Sequence, residues 1–171
     1  MKRRTIIKQL IFFWLFSFGI ALPGYYLLSA IMPDGYVFGR FFRMFLYHDS
    51  HPVGYIAISC FIYGILATAF SRRMVRANVY SRLAWTSVIV FLTIIGSSPF
   101  GGMLWHYHDM QAGFFPDNWV IKMILDGTLK GLQFGWLIIA LSIPYTFFGI
   151  IICYFLSYKG AILLKETNPR L

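Results

Sequence analysis

Residues 83–105 read LAWTSVIVFLTIIGSSPFGGMLW, a run that contains neither a charged residue nor a histidine. A helix over these residues rises about 35 Å at roughly 1.5 Å per residue, enough to cross the roughly 30 Å of hydrocarbon in a bilayer. The apolar residues are continuous and do not alternate with polar ones, which excludes the pattern of a transmembrane barrel strand. Because lipid offers no partner for an open backbone group, the run predicts a transmembrane helix.

Three further stretches have the same character, and they cover residues 9–33, 52–71 and 131–158. The chain of 171 residues is 58% hydrophobic and only 12% charged, too little polar surface for a water-soluble domain of this size. The first stretch is too long for the apolar part of a signal peptide, so it is interpreted as a retained helix. We therefore predict one domain over residues 1–171, an all-α integral membrane protein with four transmembrane helices.

Basic residues lie at the ends of the apolar stretches and favour one side of the membrane. The N-terminus, the middle connection and the C-terminus carry eleven of them: Lys2, Arg3, Arg4, Lys8, Arg72, Arg73, Arg76, Arg82, Lys159, Lys165 and Arg170. Only one acid, Glu166, lies on that side. The positive-inside rule makes this side cytoplasmic, so both termini are predicted in the cytoplasm. The compact chain suggests a bacterial inner membrane protein, and the placement of the basic residues argues against a nucleic-acid partner.

The two connections on the opposite side have amphipathic patterns. In the first, polar side chains recur at helical spacing at Tyr36, Arg40, Arg43 and Tyr47. In the second, Asp117 is a predicted N-cap for a helix that ends at about Leu129. Its wet face is formed by Lys122, Asp126 and Lys130. We predict two short interfacial amphipathic helices on the extracytoplasmic face, in addition to the four crossings.

All four histidines belong to two short clusters on this same side, and both clusters contain the sequence Tyr-His-Asp. One cluster precedes the second crossing and the other follows the third, so a helical bundle would hold both at one membrane depth. Imidazole and carboxylate groups bind transition metals, and zinc or copper suits such a ligand set. The candidate metal ligands are His48, Asp49, His51, His106, His108 and Asp109.

Two other interpretations of the histidine clusters stay open. The side chains can make hydrogen bonds, cap helices or contact a partner protein, because short His-x-His and His-x-x-His pairs are weak metal signals. They can also sense pH, because histidine titrates near neutrality. The two cysteines, Cys60 and Cys153, lie inside apolar stretches and are interpreted as small core residues.

The predicted crossings contain no acid, base or histidine. This disfavours proton-coupled or ion-coupled transport, which usually uses ionisable groups within the membrane, and it leaves no axial ligand for haem. Pro23 and Pro144 fall inside the first and fourth crossings and predict kinks there. The segment 96–102, rich in Gly and Ser, is predicted to be the least regular part of the bundle and a candidate pocket mouth.

Three functions follow from these observations, and the sequence does not decide whether the protein is an enzyme. The first is a small non-enzymatic subunit of a larger transport, export or envelope-associated membrane complex, with membrane lipids and other membrane protein subunits as partners. The second is a metal-dependent membrane enzyme that uses the His and Asp residues of the outer face. The third is a binding protein or carrier for a small amphiphilic ligand, held between the kinked helices.

Overall fold

The structure, a computed structural model, describes residues 3–31, 52–114, 120–141 and 143–166. Within these ranges the chain forms five helices and no strand, which confirms the all-α prediction for this part of the protein. The helices are α1 (Arg3–Ile31), α2 (Pro52–Arg76), α3 (Val79–Gln111), α4 (Val120–Leu141) and α5 (Ile143–Glu166).

The first three helices are each long and apolar enough to cross a membrane. The qualifying segments are Ile6–Leu27, Val53–Arg76 and Val79–Gln111, and α5 contains a shorter apolar segment, Thr146–Gly160. Large apolar side chains face outward on these helices; Leu15 is 58% exposed and Phe155 is 56% exposed. An exterior of this kind suits a protein whose surroundings are lipid, since contiguous apolar surface is rare on soluble monomers.

A two-residue turn joins α2 to α3 and makes the two helices antiparallel. Asn78 caps α3, because its side-chain oxygen accepts a hydrogen bond of 2.9 Å from the Ser81 backbone N–H. Arg82 closes the turn from the other side, where its Nε donates to the Met74 carbonyl at 3.0 Å. Because Met74 lies near the end of α2, this bond satisfies a carbonyl that the helix itself leaves open.

The main core cluster draws on four helices. It contains Phe13 from α1, Tyr63 and Ala67 from α2, Ile89 from α3 and Leu156 from α5, and Phe13, Ala67 and Ile89 are fully buried. A smaller cluster, in which Cys60 packs with Tyr25 and Ile56, joins α1 to α2. At the height of this cluster α5 therefore packs against α1, α2 and α3 and completes the four-helix core.

The structure corrects one helix end, the one predicted near Leu129. The helix expected to end at about Leu129 continues without a break as α4 to Leu141, so it runs into the stretch 131–158 that was predicted as one crossing. Both α4 and α5 (Ile143–Glu166) contribute residues to that stretch. The kink predicted at Pro144 falls beside residue 142, which lies outside the described residues, so it stays a prediction.

The first predicted interfacial helix, around Tyr36–Tyr47, lies outside the described residues. The count of four crossings and the interfacial position of any helix stay predictions.

Candidate functional site at the C-terminal end of α3

Direct backbone contact joins α3 to α4. Three glycines of α4, namely Gly127, Gly131 and Gly135, recur every four residues and therefore share one helix face. A Cβ built on Gly127 would lie 2.8 Å from the Gly102 carbonyl oxygen, and one built on Gly131 would overlap the Ser98 carbonyl oxygen. The contact leaves no room for a side chain, as in other close helix pairs built on small residues.

The order of these contacts shows that the two helices are antiparallel: Gly127 faces Gly102, and Gly131 faces Ser98 one turn earlier in α3. The Ser98 hydroxyl is used within its own helix, donating to the Ile94 carbonyl at 2.7 Å. The segment 96–102 is therefore regular helix, covered by α4 in part, and it is not the irregular pocket mouth that its composition predicts. Small residues here permit a close approach of helices.

This approach brings charged residues of α4 to the last turns of α3. His106 is buried, with 7% of its surface exposed, and it interacts electrostatically with Lys130 and Asp126 of α4 and with Asp109 of its own helix. The Lys130 ammonium also lies 6.0 Å from the centre of the Trp105 ring. We refer to Trp105, His106, Asp109, Asp126 and Lys130 as the His106 cluster.

The His106 cluster combines an imidazole, two carboxylates and an ammonium group. Opposite charges lie close together within it, so it is suited to fixing the ends of α3 and α4 against each other. A lysine beside the imidazole works against binding a metal cation there, because like charges repel at short range. Among the described residues, no group of three or more His, Cys, Asp or Glu side chains is placed to hold a metal.

The structure places only part of the predicted metal set. His106, His108 and Asp109 all lie on the last turns of α3, whereas His48, Asp49 and His51 lie outside the described residues. Two residues of separation in a helix turn a side chain by about 200°, so His106 and His108 occupy different faces. His106 and Asp109 share a face, since they are three residues apart. The zinc or copper site stays a prediction.

Gln133 belongs to no sequence motif and lies on the side of α4 away from the glycine contact. Its side chain is exposed, as are those of Leu129 and Leu132 beside it, which are 65% and 50% exposed. The Gln133 amide makes no hydrogen bond to any part of the chain that the structure describes. The sequence could have indicated Gln133, because it is a lone amide in an apolar stretch, three residues after Lys130.

No family model matches the chain, and neither a curated protein nor a solved structure is detectably similar to it.

Proposed function

We propose that this protein is a non-enzymatic subunit of a larger membrane complex of the transport, export or envelope-associated kind. In this proposal it crosses a bacterial inner membrane four times with both termini in the cytoplasm. The observation that supports a partner subunit is the exposed amide of Gln133 on the apolar outer surface of α4.

Two landmarks support a depth for Gln133 within the hydrocarbon. Arg82 and Trp105 are separated by 23 residues of α3, which is about 35 Å at roughly 1.5 Å per residue and fits one bilayer crossing. Lys130 lies beside Trp105, so it marks the same membrane interface. Gln133 follows Lys130 by three residues in the direction of the opposite interface, about 4.5 Å farther along the helix.

An amide that lies within the hydrocarbon has no hydrogen-bonding partner among the lipid tails. Leaving a polar group without a hydrogen bond in an apolar medium costs roughly 2–7 kcal/mol, depending on the reference state. A polar side chain on a neighbouring transmembrane helix removes this penalty, and such interhelical bonds stabilise association by about 1–2 kcal/mol in model peptides. The exposed leucines beside Gln133 add the apolar contact surface that a partner helix needs.

The experiment is affinity purification of the tagged full-length chain from its native membrane in a mild detergent, with quantitative mass spectrometry of co-purifying proteins. We expect Gln133→Leu to lower recovery of the partner about tenfold, the equivalent of about 1.4 kcal/mol. Gln111→Leu is the matched control. It makes the same replacement at an exposed glutamine whose amide already donates to the Tyr107 hydroxyl at 2.8 Å. Unchanged partner recovery with Gln133→Leu, or the absence of any reproducible partner, contradicts the proposal.

A further inference from the structure

The second helix has an exposed stripe that changes from apolar to basic along its length. Phe61, Ile65, Ala69, Arg72 and Arg76 are all exposed, and their spacing of three or four residues places them on one face of α2. Phe61 is 39% exposed and Ile65 is 45% exposed. We call these five residues the α2 stripe. Its apolar part, from Phe61 to Ala69, is about 12 Å long, since eight residues of helix rise roughly 1.5 Å each. An extended segment of a lipid acyl chain can lie along a surface of that length.

The two arginines of the α2 stripe differ from the other arginines near the α2–α3 turn. The Arg73 guanidinium stacks 4.9 Å from the Trp85 ring centre and 5.4 Å from that of Phe70. Arg82 donates to the Met74 carbonyl, and its guanidinium lies 4.0 Å from the Tyr158 ring centre. These two side chains therefore hold helices together, and their positions are explained by the fold.

By contrast, Arg72 and Arg76 have no such structural use. Neither makes a hydrogen bond, ion pair or ring contact with any part of the chain that the structure describes. The sequence places one acid, Glu166, on this side against eleven basic residues, so the field here is strongly positive. Arginine binds phosphate oxygens through two parallel N–H donors, and side chains four residues apart on a helix are neighbours.

We infer that the α2 stripe binds an anionic phospholipid. The phosphate group lies between Arg72 and Arg76, and an acyl chain follows Ala69, Ile65 and Phe61 along the helix. This site goes beyond the proposed role as a complex subunit and uses a different helix from the α4 surface that contains Gln133. Charge complementarity selects an anionic headgroup, and the continuous apolar face selects a lipid over a soluble phosphate compound.

The test titrates the full-length protein in nanodiscs of phosphatidylcholine with increasing phosphatidylglycerol, and counts bound lipids by native mass spectrometry. We expect the double variant Arg72→Gln/Arg76→Gln to weaken phosphatidylglycerol binding roughly 30-fold, since each basic residue contributes about 1 kcal/mol near an anionic membrane surface. The variant Arg72→Lys/Arg76→Lys keeps the charge but loses the paired donors, so it should bind more tightly than the glutamine variant and less tightly than the unmodified protein, which separates loss of charge from failure to fold.

The matched control is Lys8→Gln/Lys159→Gln, which removes the same charge from two other exposed residues at this end of the bundle. It should leave binding within about twofold of the unmodified protein if the α2 stripe is the site. Equal losses in the two double variants overturn the proposal in favour of a general surface potential. Equal binding of phosphatidylcholine, or full competition by millimolar inorganic phosphate, also overturns it.

Discussion

Hydroxyl groups in the helices find hydrogen-bond partners in two different ways. In α3, Thr86, Thr93 and Ser98 donate to carbonyls one turn earlier in the same helix, at 2.8, 2.8 and 2.7 Å. The hydroxyls of Tyr63 and Ser157 instead bond to each other at 2.7 Å, across the boundary between α2 and α5. The first arrangement satisfies a polar atom without tying helices together, whereas the second contributes to tertiary structure.

Removing the hydroxyl of Tyr63 should therefore loosen α5 from the bundle. We expect Tyr63→Phe to lower the free energy of unfolding by about 0.6 kcal/mol and by no more than about 1.7 kcal/mol, the average and the maximum for interhelical hydrogen bonds in double-mutant cycles on a membrane protein. The measurement is unfolding in mixed micelles, extended to a double-mutant cycle with Ser157→Ala. Ser87→Ala is the control, because that hydroxyl donates only to the Leu83 carbonyl of its own helix. A coupling energy of zero in the cycle would show that the pair contributes nothing.

At the scale of helices, the closest packing lies between α3 and α4. Gly131 approaches the backbone of Ser98 and Pro99 so closely that a Cβ would lie 2.9 Å from the Pro99 Cα. Gly19 of α1 is a glycine of a different kind, since nothing lies within 4 Å of the position that its Cβ would take. At Gly131 close packing requires a glycine, whereas at Gly19 a substitution changes only the intrinsic helix propensity.

A methyl group should have opposite effects at these two glycines. Gly131→Ala is expected to destabilise the protein by about 1–3 kcal/mol, because the obstructing atoms are backbone atoms and the helices must move apart. Gly19→Ala should be neutral or stabilising by up to about 1 kcal/mol, since alanine favours helix over glycine. Thermal unfolding of both variants in one detergent gives the comparison. Similar stability of the Gly131 and Gly19 variants would refute the close packing of α3 and α4.

The sequence predicted the helices better than their boundaries. Uninterrupted apolar runs located α1, α2 and α3, because a crossing requires length and hydrophobicity that can be counted. The helix end predicted near Leu129 was wrong. It was placed where the sequence changes from an amphipathic to an apolar pattern, but a helix continues through such a change because its backbone hydrogen bonds do not depend on side-chain polarity.

The candidate site was predictable only in its location. The two histidines and the aspartate of residues 106–109 indicated a polar end to α3, and the structure places His106 there in a charged cluster. That Asp126 and Lys130 join it depends on the glycine contact between α3 and α4, a long-range feature. The spacing of Gly127, Gly131 and Gly135 was available as a signal for this contact, because small residues at intervals of four permit close helix packing.

At the scale of the molecule, α3 is the longest continuous helix within the described part of the chain, at 33 residues. It rises about 50 Å, so a single crossing of the roughly 30 Å of hydrocarbon would leave about 20 Å of the helix outside it. Arg82 lies near its first end, and the His106 cluster lies near its second. The orientation of this one helix determines which side of the membrane each of these features faces.

Cysteine labelling at the two ends of α3 should determine this orientation. Tyr80 is 84% exposed beside the basic α2–α3 turn, and Ala112 is exposed just after the helix ends. We expect a membrane-impermeant maleimide to label Ala112→Cys in intact cells, and to label Tyr80→Cys only after the membrane is opened, because the basic side is retained in the cytoplasm. The unmodified chain is the control for Cys60 and Cys153, whose positions in apolar helices shield them from the reagent. Labelling of both introduced cysteines from one side would show that α3 does not cross, and labelling of Tyr80→Cys alone in intact cells would reverse the topology.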